Sequence, residues 1–474
     1  MMSLRQAHEW IGSGQMLGNS DTQIKRVHTD TRSLQAGDLF VALNGDRFDG
    51  HHYLPQAKSE GAVAAIAQHG LVAADLSGIE LAEPKHALGL LAAGWRSQFS
   101  LPLIAVTGSN GKTTVTQMLA AILRAYKQDA AFATEGNLNN DIGVPLTLLR
   151  LTKSHDIGVV ELGMNHPGEI AYLSDLAKPT VALVNNAQRE HLEFMVSVEA
   201  VAQENGSVIA ALSTQGTAVF PAGDAYTPIW RRLAGDRKVM TFSLQDQADV
   251  TAQATWQANH WAVQAVTPVG SLAFTLHIAG KHNVKNALAA TACALAAGVP
   301  LACIAEGLSG FEPVKGRSRV VTLVVKGRTI TLVDDTYNAN PDSMQAAIEV
   351  LAAMPGPRLL VMGEMGEVGD QGEKFHHESG VSAQTLGIEN LFTLGQLSKH
   401  AASGFDGGRH FSEIEQLIEA VMNEVPHLGS VLVKGSRFMK MERVVQVLVD
   451  SASGSASGVA SENLPTHPGA CHAA

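Results

Sequence analysis

Short apolar runs, each closed by glycine or polar residues, recur along the chain and alternate with stretches of helical period. One run at 101–106 leads into a glycine-rich turn. The segment after it places Val115, Met118, Leu119, Ile122 and Tyr126 on one face, which predicts an amphipathic helix. Further runs at 157–162, 181–185 and 218–221 alternate with helical patterns, as in a parallel sheet built from βαβ units. The alternation restarts after Val314, with strands predicted at 330–333, 359–362, 391–394 and 431–433. Each of these ends in a polar or glycine corner: Asp334-Asp335, Gly363-Glu364, Gly395-Gln396 and Lys434-Gly435-Ser436. Open α/β sheets bind ligands outside the carboxyl ends of their strands, so these corners are where a ligand of the last segment is expected. Ahead of both sheets, 1–83 carries shorter strand pieces such as 38–43 and an alanine-rich helix expected at 54–67.

Length turns this pattern into domains. At roughly 150 residues per domain, 474 residues predict about three. The expected division is a small α/β domain at 1–83, a central parallel-sheet domain at 84–312, a Rossmann-like α/β domain at 313–450, and a Ser-, Gly-, Ala- and Pro-rich disordered tail at 451–474. No internal repeat is visible. The uncharged run 287–305 has the length of a membrane span, but Gly298, Val299 and Pro300 interrupt it, so it reads as a buried helix, a turn and the start of another.

Charge and cysteine content narrow the partners. The formal net charge of −11 lacks the footprint of a protein that grips nucleic acid or an anionic membrane, so an anionic ligand must be met by local cations. Cys293, Cys303 and Cys471 are too few and too scattered for a disulfide framework or a zinc site. The first fourteen residues carry no charged segment followed by an apolar one, so no export signal is expected and the cytoplasm is the expected compartment.

The strongest chemical signal is Thr107-Gly108-Ser109-Asn110-Gly111-Lys112-Thr113-Thr114, which follows a predicted strand and opens a predicted helix. Glycines let backbone N–H groups turn toward phosphate, the helix start adds positive potential, Lys112 neutralises charge, and the Thr113 hydroxyl suits Mg²⁺. Val106 stands where the common phosphate-loop pattern has glycine. A carboxylate is also needed on the metal's other side. Glu161 closes the next strand, and His191 comes soon after the one beyond it, so both are candidate ligands beside the loop. Either one taken alone has a structural alternative.

These residues resemble the Mur ligases, ATP-dependent enzymes that extend the peptide of peptidoglycan precursors, over nearly the whole chain to about Val449. In the first domain Asp30-Thr31-Arg32-Ser33, the 36–45 segment and Asp49-Gly50-His51 resemble the family's UDP-recognising segment, with Thr31, Arg32 and Ser33 as expected contacts and a capped turn as the alternative. The resemblance implies Lys112 on the ATP phosphates, with Thr113, Glu161 and His191 around Mg²⁺. It implies Asn139 and Asn140 near the acceptor, and Asn283 and Asn286 as adenine contacts or, alternatively, helix caps. Asp334-Asp335-Thr336-Tyr337-Asn338-Ala339-Asn340-Pro341 and Val433-Lys434-Gly435-Ser436-Arg437 resemble the branch that adds D-alanyl-D-alanine. The Asn-Pro-Arg expected of the diaminopimelate-adding branch is absent from the chain. Met362-Gly363-Glu364 and His376 also match, with Glu364 where Asp is expected. Asp335 is then expected on the ribose and Tyr337 and Asn338 on the nucleotide. Lys434 and Arg437 are expected on carboxylate or phosphate, solvated loop charges being their alternative.

What the resemblance implies as a whole is a monomeric ligase that joins UDP-N-acetylmuramoyl-tripeptide to D-alanyl-D-alanine through an acyl phosphate, with closure of the third domain. The base for the attacking amine is expected to be His191 or a third-domain carboxylate. One departure stands out. Several relatives carry a carbamoylated, metal-binding lysine where this chain has Asn205, so Asn205 or Glu204 is left to hold a water or a second Mg²⁺. Two rivals are a folate polyglutamate-adding enzyme, which has no use for the first domain, and a nucleotide switch without turnover.

Overall fold

The computed structural model describes residues 1–45, 48–257, 259–325 and 327–453. Three larger sheets succeed one another along the chain. The first has five strands, Gln15–Leu17, Arg26–His28, Asp38–Val41, Ala64–Ala67 and Ser77–Glu80, parallel except for Gln15–Leu17 at one edge. The helix predicted across 54–67 stops at Ser59, and Ala64–Ala67 is a strand. Its four residues are fully buried between two parallel neighbours, and that pairing overrides alanine's helical preference.

The helix Pro84–Arg96 begins with proline at its first position, where the missing N–H costs nothing, and buries Ala87, Leu88, Leu91 and Ala92. Those side chains belong to one apolar cluster with Leu39 and Ile66 of the first sheet and Leu103 and Val160 of the second. The first sheet is therefore joined to the second through shared core.

The second sheet has nine strands, in the order Ala131–Ala133, Ile157–Glu161, Leu103–Thr107, Val181–Val184, Thr217–Pro221, Lys238–Ser243, Val250–Gln257, His260–Thr267 and Gly270–Leu276. Leu103–Thr107 lies between Ile157–Glu161 and Val181–Val184, both parallel to it. The chain leaves this strand for opposite sides, which creates a crevice at its carboxyl end. The predicted helix forms as Lys112–Lys127, with Val115, Met118, Leu119 and Ile122 fully buried. The last three strands are antiparallel to one another and were not among those predicted. Burial alternates along them, with Val263 and Ala265 buried and Gln264 and Val266 exposed, and their apolar runs are no longer than three residues. The two-helix reading of 287–305 agrees with Lys281–Ala296 and Leu301–Ser309, and among the described residues no helix is long and apolar enough to cross a membrane.

The third sheet has the order Arg319–Val325, Arg328–Asp335, Ser430–Lys434, Arg358–Met362, Asn390–Leu394 and Arg409–Phe411, parallel except at the Arg319–Val325 edge. Asp335, Met362, Leu394 and Lys434 end adjacent strands here, which gathers the four predicted corners. The last helix, Glu442–Ser453, runs into the segment expected to be disordered from 451. The rest of that expectation, 454–474, lies outside the described residues.

Candidate active site

Thr107 ends its strand fully buried, and the chain turns through Gly108 and Gly111, both at positive φ, into the helix that starts at Lys112. Gly111 is required twice over. Its φ of 83° disfavours other residues, and an added Cβ would lie 2.7 Å from the side-chain amides of Asn185 and Asn286. Lys112 curls back so that Nζ donates to Gly108 O (2.6 Å) and Ser109 O (3.1 Å), and it pairs with Glu190 Oε1 at 2.8 Å. Asn110 donates from its backbone to Asn186 Oδ1 and from its side chain to Gln188 Oε1. Ser109 Oγ exchanges hydrogen bonds with Gln188. The loop is thus held by the segment after Val181–Val184, about eighty positions downstream.

Thr113 Oγ1 donates to Glu161 Oε1 at 3.0 Å, and Asn139 Nδ2 donates to the same oxygen at 2.7 Å. Mg²⁺ takes hard oxygen ligands, and this pair of buried oxygens at the loop fits it. His191 stands beside two carboxylates. Its Nδ1 is 2.5 Å from Glu367 Oε2 and its Nε2 3.5 Å from Glu190 Oε1. Burial lowers the imidazole's pKa, but the bonds to Glu190 and Glu367 outweigh it and carry the value up to about 9. His191 lines the same cleft as Thr113 and Glu161.

Asn205 is engaged within the protein. It is fully buried, its Oδ1 accepts from Thr107 Oγ1 at 2.7 Å, and its Nδ2 donates to Val201 O. Glu204 is also engaged, accepting from the Ile170 backbone at 2.8 Å. An amide at 205 thus ties the end of the phosphate-loop strand to the helix Val198–Ala210. Among the described residues no three His, Cys, Asp or Glu side chains are grouped to hold a metal.

Asn283 and Asn286 form a buried chain: Asn185 Nδ2 donates to Asn286 Oδ1, Asn286 Nδ2 to Asn283 Oδ1, and Asn283 Nδ2 to Ala279 O. Both line the cleft while bracing the phosphate turn from behind. Asn140 Oδ1 accepts from Gly143 N at 2.8 Å, at the start of the helix Gly143–Leu148. The half-buried Lys285 ammonium on the same wall is pushed down by desolvation, with Asp224 and Asp246 opposing.

The opposite wall is the third domain. Lys434 is not a solvated charge: its side chain is 3% exposed, and Nζ donates to Asp335 Oδ2 (2.7 Å) and Asn338 O (2.8 Å). Burial raises the Asp335 carboxyl, but Lys434 and the Ser318 N–H more than offset this and hold it below the ordinary carboxylate range. Tyr337 lies between Arg317, 4.0 Å from its ring centre, and Arg437 at 5.9 Å. Arg437 is 65% exposed and paired with Glu442. His376 is fully buried, accepting from Met365 N, and braces the Met362–Gly369 corner from within.

The two walls enclose an open cleft of about 960 Å³, at the upper end for small-molecule sites. Lys112, Thr113, Glu161, His191, Asn139, Asn140, Asn283, Asn286, Asp335, Tyr337, Asn338, Lys434 and Arg437 all line it. Thr31, Arg32 and Ser33 do not. They form a turn in which Asp30 caps Arg32 N, pairs with the Arg32 guanidinium, and accepts from Ser33 Oγ through its backbone carbonyl. The Arg32 hydrogen bond holds Asp30 down to about 2. Glu190 and Arg317 were not among the predicted site residues. Glu190 adjoins a histidine that was singled out, so a signal existed. Arg317 stands in a linker with no motif.

Comparison with known proteins agrees with this architecture. The Mur ligase family catalytic domain matches residues 23–96, the Mur ligase middle domain 106–294, and the Mur ligase glutamate ligase domain 316–437. The UDP-N-acetylmuramoyl-tripeptide–D-alanyl-D-alanine ligase of Escherichia coli (strain K12) is 41% identical, over 94% of this chain and 97% of its own. A crystal structure of MurF from Acinetobacter baumannii is 36% identical, covers 94% of this chain and 98% of its own, and superposes with a TM-score of 0.88. The MurF ligase of Thermotoga maritima in complex with ADP has a TM-score of 0.80 at 27% identity, over 92% of this chain and 99% of its own. A phosphate loop at the switch point of one sheet, faced by the Asp335 and Lys434 corners of another and matched along nearly its full length, makes this chain a member of the Mur ligase family.

Proposed function

We propose that this cleft joins the free amine of D-alanyl-D-alanine to the terminal carboxylate of UDP-N-acetylmuramoyl-tripeptide, with ATP converted to ADP and phosphate. The observation that carries the reading is the two-walled cleft, in which a phosphate loop faces a second set of anchored polar residues within one chain. The 41% identity to the Escherichia coli ligase supports the choice of substrates. One chain supplies every wall, so a monomer is expected, and nucleotide-linked substrates suit the cytoplasm.

A carboxylate is a poor electrophile for an amine. Its oxygen attacks the γ-phosphorus, ADP leaves, and the resulting acyl phosphate has a good leaving group. The amine then attacks the acyl carbon, phosphate departs, and the amine's proton passes to a cleft carboxylate or to solvent. Lys112 exchanges Glu190 and its own loop carbonyls for the phosphates, where its charge is needed as the phosphoryl group moves. Thr113 and Glu161 would hold Mg²⁺, which supplies charge neutralisation on the phosphates. Asp335, fixed by Lys434, suits the ribose hydroxyls, Tyr337 and Asn338 the nucleotide, and exposed Arg437 the dipeptide carboxylate. Thr31, Arg32 and Ser33 take the UDP end.

The test is phosphate release from ATP and Mg²⁺ with UDP-N-acetylmuramoyl-tripeptide, with and without D-alanyl-D-alanine, the product being followed by mass. Release that depends on both substrates, with the product heavier by the dipeptide less water, is the expected result. Steady ATP turnover without the dipeptide would sink the reading.

A further inference from the structure

Arg189, immediately before Glu190, ties the two walls together. Its Nη2 and Nε donate to Asp342 Oδ1 at 2.7 and 3.1 Å, and its backbone N donates to Asp342 Oδ2 at 2.7 Å. The guanidinium lies 5.2 Å from the Phe375 ring centre, and Nη1 is 3.7 Å from Glu378 Oε2. Asp342 sits in the first turn of the helix Pro341–Ala352, whose N-cap Asn340 donates to Asn110 Oδ1 of the phosphate loop at 2.9 Å. Central and third domains therefore meet at one helix start, gripped by Arg189 from one side and by the phosphate loop from the other.

The two residues after Arg189 explain why the grip matters. Glu190 pairs with Lys112, and His191 has a φ of 50°, a left-handed conformation rare for a non-glycine residue that its surroundings must hold. The segment is short and strained, and its position is set from the third domain. We propose that Arg189 is a positioning residue: by clamping Asp342 it couples closure of the third domain to the placement of Glu190 and His191 beside the phosphate loop. It is not among the residues lining the cleft, so its effect passes through the segment it anchors. Two guanidinium N–H groups converge on one Asp342 oxygen while the backbone N–H takes the other, and lysine offers a point charge without that paired geometry.

The experiment compares Arg189→Ala, Asp342→Ala, the double variant and Arg189→Lys by small-angle scattering with ATP analogue bound, by steady-state kinetics and by thermal unfolding. Both single variants are expected to increase the radius of gyration and to lower kcat/KM for D-alanyl-D-alanine by about tenfold or more. KM for the UDP-linked tripeptide, held by the first domain, stays within about twofold. The double variant is no worse than either single, since both remove one clamp, and Arg189→Lys falls between parent and Ala. Unchanged scattering overturns the proposal, as do losses that multiply in the double variant, or kinetic losses that track a lowered melting temperature. Should Asp342→Ala fail to fold, Asp342→Asn replaces it. The kinetic arm rests on the ligase reading, whereas the scattering arm does not: a parent that makes no pentapeptide refutes that reading and leaves the clamp to be judged by scattering.

Discussion

The phosphate-loop wall and the Thr31–Ser33 turn are both built from short polar motifs, yet they are held in opposite ways. Around the loop, Lys112 meets Glu190, Thr107 meets Asn205, and Asn110 meets Asn340, partners 78, 98 and 230 positions apart and largely buried. In the turn, Asp30, Arg32 and Ser33 satisfy one another within three positions, and the Arg32 side chain is 86% exposed. The first arrangement is preorganised by the rest of the molecule, so damage to it spreads into stability and closure. The second is locally complete and free to rearrange around a ligand.

The contrast is tested most severely at Asp335. Asp335→Asn leaves Lys434 buried without its counter-charge and is expected to cost about 3–5 kcal/mol in urea unfolding at neutral pH. The pH dependence has a definite sign. The folded carboxyl titrates below its ordinary value of 3.8, so its stabilisation is present above that value and fades as pH falls through the lower folded pKa. The gap between parent and variant should therefore be full at about pH 6 and should narrow below about pH 4. A gap independent of pH would remove the charge from the explanation.

Lys112→Ala comes next. Phosphate release should fall by about 10²–10³-fold or more, because the ammonium meets developing phosphate charge, and the melting temperature should fall as well, because the variant leaves the largely buried Glu190 without its counter-charge. A variant retaining half its activity would show that the loop cradles phosphate by backbone alone. Asn205→Leu has a smaller effect, of about 1–3 kcal/mol, from leaving the buried Thr107 hydroxyl unpaired. The Mg²⁺ dependence of the reaction should be unaltered in that variant, and a shift in it would reopen a metal role for this position.

Arg32→Ala is expected to do least to the fold. Its ion pair is exposed and short-range, so the melting temperature should move by less than about 1 °C. Only KM for the UDP-linked substrate should rise. If that KM is unmoved, the turn is a capped loop and the UDP end lies elsewhere on the first domain.

Much of the scaffold was legible because it is local. The strand, glycine turn and helix of the phosphate loop are contiguous, and apolar runs ending in polar corners marked the parallel strands that deliver Glu161, Asp335 and Lys434. The strands between Val250 and Leu276 escape such a pattern because only one face is buried, so that buried and exposed positions alternate and apolar runs stop at three residues. Ala64–Ala67 departs from the predicted helix because alanine's own preference is helical, while its neighbours in the sheet decided otherwise.

The amino-acid sequence by itself determined the α/β character, the order of the elements, the phosphate loop and the chemical types at each strand end. Each of these depends on spacing within a few residues, which local sterics and periodicity settle. Tertiary structure alone decided that Lys434 is a buried partner of Asp335, that Asn205 is bonded to Thr107, that His191 sits between Glu190 and Glu367, and that Arg189 joins two domains. These depend on burial and on charges brought together across tens to hundreds of positions, and such proximity exists only after the sheets have packed.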